Sequence, residues 1–170
     1  ERRRAYDHLS EVMLTHESTG TVVDVHTSVV PDDVPVTLPF EALYDRRTAV
    51  PVGGQTVPSL SLFDTIAAQA VHGTKHCWYR AEWLLAIASL YAGCEDYPGL
   101  WEHLRRCHCD LMVWCALALT ARLFDVPVPA TVERRPGCAA DVDAAVTELT
   151  TWVLEPEWVT DDRSHLAGAR

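Results

Sequence analysis

Lysine is nearly absent from this chain. Of its 14 basic residues one, Lys75, is lysine, and the rest are arginine. Positive charge is scarce too: 24 acidic residues give a net charge of −10. Such a field repels phosphate backbones, which excludes a protein that coats DNA. Any anionic ligand must then be held by a local cluster of cations. Long apolar runs are missing as well; none reaches the ~18 residues of a membrane span. None of the six cysteines forms a Cys-x-x-Cys pair, and Cys107-His108-Cys109 is too tight for the usual zinc spacing. Most cysteines fall in apolar helical patterns, where a free thiol acts as a small hydrophobe, so a reducing, cytoplasmic compartment is expected. No signal-peptide pattern is present. The chain opens Glu1-Arg2-Arg3-Arg4 without methionine, and we expect it to begin inside a longer protein.

What is present reads as a globular chain of 170 residues, 48% hydrophobic, long enough to bury a core. The first quarter is β-like. Residues 11–15 and 21–30 are rich in Val and Thr and flank Glu17-Ser18-Thr19-Gly20, a hairpin signal. Pro31, Pro35 and Pro39 interrupt the chain, and residues 41–47 allow two helical turns. A second hairpin is expected around Gly53-Gly54, between residues 49–52 and 55–58. From Ser61, an N-cap with Asp64 three residues on, the period becomes helical. The stripe runs to about Tyr91, with a break or bend expected at Gly73. Pro98 starts a further helix to about His108. Residues 111–124 are nearly all apolar and read as a buried central helix, and residues 138–154 as the last one. The fold class is α+β: a short antiparallel sheet fragment over residues 1–60, then a helical bundle over 61–170.

Two segments carry chemistry. In Thr21-Val22-Val23-Asp24-Val25-His26, strand alternation puts Asp24, His26 and Ser28 on one face, with Asp24 and His26 about 7 Å apart. The other face, with Val23, Val25 and Val29, suits packing under helices. A carboxylate so placed can bind a divalent cation or orient an attacking hydroxyl; a solvated strand face is the plain alternative. In the second segment His72, Lys75, His76 and Tyr79 fall at i, i+3, i+4 and i+7, one face of a continuous helix, with Arg80 and Glu82 nearby. A lone ammonium between two histidines suits phosphate. Zinc is disfavoured, because Gly73 stands where the His-Glu-x-x-His pattern needs its glutamate and Lys75 adds an opposing charge.

Taken in order, these elements resemble the uncharacterised nucleotidyltransferase family of bacteria, in the DNA polymerase β-like superfamily. The resemblance rests on Val23-Asp24-Val25-His26-Thr27, Leu43-Tyr44-Asp45-Arg46, the Gly hairpin and Leu60-Ser61-Leu62-Phe63-Asp64. It continues through His72-Gly73-Thr74-Lys75-His76-Cys77-Trp78, Arg80-Ala81-Glu82-Trp83-Leu84-Leu85, and the close Leu123-Phe124-Asp125-Val126-Pro127-Val128-Pro129. It spans residues 11–130. There are three departures: Ala86 stands where an Asp is common, Thr27 where Trp is usual, and the superfamily's Gly-Ser and Asp-x-Asp strand are not found. Asp141-x-Asp143 lies in a C-terminal helix, out of order.

The resemblance implies transfer of a nucleoside monophosphate from a nucleoside triphosphate to an unknown acceptor hydroxyl, with Mg²⁺ as the metal. It implies Asp24 as metal ligand and catalytic acid/base, and Lys75, His76, His72, His26 and Arg80 as substrate- or phosphate-binding residues. Without its upstream acids the chain is expected to be an inactive fragment. A second reading is a non-catalytic helical module that binds a protein partner, like an antitoxin or scaffold. A third, a metal-dependent hydrolase, rests on His72 and His76. No membrane association is expected.

Overall fold

The structure is a computed structural model that describes residues 11–26, 28–30 and 34–154. Thr27, Pro31 and residues 1–4, which entered the sequence reading, lie outside the described residues. The fold class is α+β, as the sequence patterns require. Strands β1 (Glu11–Thr15) and β2 (Val22–His26) form one antiparallel ribbon, and β3 (Thr48–Val52) and β4 (Gln55–Ser59) a second. Among the described residues the two ribbons do not pair with each other. Between them lies a short helix, α1 (Phe40–Asp45). The helices α2 (Leu62–Lys75), α3 (Ala81–Ala92), α4 (Tyr97–Arg106), α5 (Asp110–Phe124) and α6 (Ala139–Leu154) follow. None is long and apolar enough to cross a membrane.

Each start has a local cause. The Ser61 hydroxyl accepts from the Asp64 N–H at 3.2 Å and donates to its carboxylate at 2.6 Å, a reciprocal cap at the head of α2. Asp96 caps α4, accepting from the Gly99 N–H at 2.9 Å, with Pro98 in the first turn. Gly53 and Gly54 both have positive φ, 57° and 81°, as a two-residue hairpin turn demands.

The core forms around α5, which packs against α2, α3, α4 and α6. Ile66, Leu84, Ile87, Leu100, Trp101, Leu104, Val113 and Leu119 are buried there. Leu38 and Leu43 join the same core, so the segment carrying α1 is docked on the bundle. The Thr37 N–H anchors it, donating to the Cys107 carbonyl at 3.0 Å. All six cysteines are free. Burial raises the Cys109 thiol to about 12 and that of Cys115 to about 11, so both stay protonated and unreactive.

Three expectations are corrected. β2 ends at His26, not Val30. The valine face of β2 is not covered: Val23 and Val25 are 53% and 43% exposed. Among the described residues no helix is laid across this ribbon, so its apolar face is exposed. Finally, α2 runs through Gly73 and stops at Lys75. The break is made by Cys77 and Trp78, both in the left-handed region (φ 51° and 55°).

Candidate functional site

On β2, Asp24 pairs with Met13 and His26 with Glu11 across the ribbon. Asp24 and His26 share a face through alternation, and both are exposed. Beyond the strand, the Ser28 hydroxyl donates to the Val30 carbonyl at 2.8 Å, a local turn.

The His-Gly-x-Lys-His-x-Trp run is a helix terminus. The Trp78 N–H donates to the Gly73 carbonyl at 2.8 Å and the Cys77 N–H to that of Thr74 at 3.1 Å, a Schellman-type closure. That fold-back lays the buried Trp78 indole on Gly73, where a Cβ would overlap the ring. The motif glycine is thus required by packing. The same turn gathers the polar face without a continuous helix. The His72 and His76 ring centroids are 4.7 Å apart, and the Trp83 ring lies 4.7 Å from His72 and 5.5 Å from His76. Tyr79 closes the group 4.9 Å from Trp83. Arg80, at the head of α3, pairs with Glu82 and stands 5.6 Å over Trp83.

Two adjoining cavities lie where β2 runs toward α2. The first, of ≈ 270 Å³, is lined by His26, Ser28, Val29 and Val30 on one side and by Leu60, Thr65, Ala68, Gln69, His72 and Lys75 on the other. It therefore brings together His26, His72 and Lys75, which are 46 or more residues apart for His26 against the other two. Asp24, His76 and Arg80 are not in its wall. The second cavity, of ≈ 560 Å³, shares His26, Ser28, Val29 and Leu60 with the first and continues to Phe40, Tyr44 and Arg47.

Behind this surface sits a polar cluster whose function the sequence did not reveal. Asp64 is fully buried at the start of α2. Arg46 grips it with two bonds, Nε to Oδ2 at 3.0 Å and Nη2 to Oδ1 at 2.7 Å. His103 of α4 adds Nε2 at 3.1 Å. Burial alone would raise the Asp64 carboxyl. The Arg46 and Ser61 hydrogen bonds, with the Arg46 and His103 charges, override it and hold the group below its ordinary range. Burial depresses His103 below the usual imidazole value; Asp64 opposes this, while the Arg46 and Arg106 charges add to it. His103 thus meets Asp64 through Nε2 while its burial disfavours the charged imidazolium. Arg46 and Asp64 close two of the motif elements, but nothing in their spacing announces that they meet.

The resemblance implies magnesium, which needs a set of oxygen donors. Among the described residues no group of three or more His, Cys, Asp or Glu side chains can hold a metal ion. Asp24 offers one carboxylate, and the one buried acid near the cleft, Asp64, is committed to Arg46 and His103. The described residues do not fit a metal centre.

Comparison with known proteins agrees with the motif order. The family model described as "Uncharacterised nucleotidyltransferase" matches residues 2–125. No curated protein and no solved structure matches the chain. With most of its length covered, the chain belongs to that nucleotidyltransferase family.

Proposed function

We propose that this member of the uncharacterised nucleotidyltransferase family transfers a nucleoside monophosphate from a nucleoside triphosphate to an acceptor hydroxyl. The observation that carries this reading is the cleft shared by His26, His72 and Lys75 within the family-matched region. In a protein of net charge −10, a cluster of three potential cations is where a triphosphate gains attraction. Lys75 supplies a mobile point charge, and His72 and His26 donate N–H groups to phosphate oxygens. His76 braces His72 through ring contact, and Arg80, over Trp83 at the head of α3, adds a positive charge to the same region. The acceptor oxygen attacks the α-phosphorus, the bond to the bridging β-phosphate oxygen breaks, and pyrophosphate leaves. Asp24, on the strand that ends at the cleft, orients the hydroxyl and takes its proton. His26 and Ser28, within the first 60 residues, supply the strand side of the site, and His72 and Lys75 the helical side. A protein-binding module is the second reading, favoured by the uncovered apolar face of the first ribbon.

The test is Mg²⁺-dependent release of pyrophosphate from nucleoside triphosphates by the natural gene product. Asp24→Asn should lower the rate by about 10²-fold or more, as expected for loss of a general base. Release that is unchanged in Asp24→Asn contradicts the role of Asp24; no binding of any triphosphate contradicts the reading as a whole.

A further inference from the structure

Helix α1 has a buried face and an exposed aromatic one. Leu43 anchors it in the core, while Phe40 and Tyr44, one turn apart, are 62% and 50% exposed. Their rings stack with centroids 5.9 Å apart at 27°. Arg47 lies over Tyr44 at 3.9 Å, and its Nη1 donates to the Tyr44 carbonyl at 2.6 Å. The result is a layered Phe–Tyr–Arg platform whose outer rings nothing in the fold requires. It forms one wall of the larger cavity, ≈ 560 Å³, within the ~300–1,000 Å³ of small-molecule sites. That cavity shares His26, Ser28, Val29 and Leu60 with the cationic cleft.

We propose that the Phe40–Tyr44–Arg47 cavity is the subsite for the base of the nucleoside triphosphate, an inference that rests on the reading above. A ligand spanning the shared wall would keep its phosphates at Lys75 and His72 and bring a planar group to the platform. Phe40 offers a free ring face for stacking, which every base accepts. The Arg47 N–H groups not used on Tyr44 face base oxygens and ring nitrogens, which are acceptors. The Ser59 hydroxyl lines the same cavity. The other aromatic group, Tyr79 and Trp83, is the weaker candidate. Trp83 already meets His72 and Tyr79 edge-on, and neither Tyr79 nor Trp83 lines either cavity.

Equilibrium binding of a nucleoside triphosphate and of inorganic tripolyphosphate separates the two claims. The Phe40→Ala/Tyr44→Ala double variant should bind the nucleotide about tenfold more weakly and tripolyphosphate as the parent does. Phe40→Leu, which keeps apolar bulk but loses the ring face, should show part of the same loss and serves if the double variant is unstable. Tyr79→Ala should change neither ligand. If the parent binds both ligands equally and the variants change nothing, the base subsite is overturned while the nucleotidyltransferase reading stands. If Tyr79→Ala alone weakens the nucleotide, the platform is misassigned. If the parent binds neither ligand, both claims fall.

Discussion

Gly73 is a motif glycine whose constraint comes from a neighbour, since its own backbone is ordinary helix. Alanine at such a position normally favours a helix by about 1 kcal/mol. Here the new Cβ meets the Trp78 indole. Gly73→Ala should therefore destabilise by roughly 1–3 kcal/mol, the usual cost of overpacking. In a Trp78→Ala background the same change should become neutral or stabilising, a coupling read by a thermal double-mutant cycle. Asp125 is the opposite case. It ends α5 in the left-handed region, φ 51° and ψ 45°, a conformation that favours glycine. Asp125→Gly should raise stability by roughly 0.5–1 kcal/mol, because only the backbone strain changes. Replacing Asp64 by Asn leaves a half-exposed arginine without its carboxylate and costs about 2–3 kcal/mol in urea unfolding. The Asp64 cap on α2 was legible in the sequence as a Ser-x-x-Asp signal, but its grip on Arg46 and His103 was not. Those partners come from 18 residues upstream and from a different helix, and no periodicity encodes such a meeting.

At the scale of elements, the junction of α1, α2 and α4 should be the acid-sensitive part of the fold. Folding lowers the His103 pKa, so the unfolded chain binds more protons as pH falls below about 6.5, the free imidazole value. Stability from this group is full above that pH and declines below it. Asp64, whose pKa is also lowered, adds a second loss once pH falls below about 4. His103→Gln keeps an N–H donor for Asp64 and removes the first phase. Thermal melts from neutral pH downward should fall less steeply for the variant; equal slopes would mean that His103 does not titrate between the two states. The helices themselves were readable from apolar spacing: α4, α5 and α6 sit within two residues of their expected ends. The α2 break was misread because glycine suggests a bend locally, whereas the turn is fixed by Trp78 folding back from five residues on. The valine face of β2 was misread for a related reason. Alternation tells which residues share a face, but not whether another element covers it. That ribbon is exposed on both sides, and two strands alone are marginally stable. Its amides should exchange hydrogen far faster than those of α5; equal protection would mean that something covers the ribbon.

For the molecule as a whole, the acidic surface and the scarcity of lysine turn one side chain into a reporter. Under the proposed function Lys75, on the wall of the His26–His72 cleft, meets the triphosphate of a nucleotide. Because it is the one lysine in the sequence, acylation of side-chain amines followed by peptide mass spectrometry reads that site alone. Lys75 is exposed in the free chain, so it should react readily. With a nucleoside triphosphate at ten times its dissociation constant, about nine molecules in ten are occupied. The Lys75 acylation rate should then drop about tenfold, and inorganic tripolyphosphate should protect as well. An unchanged acylation rate at saturating nucleotide would contradict the placement of the triphosphate in this cleft, and with it the central claim.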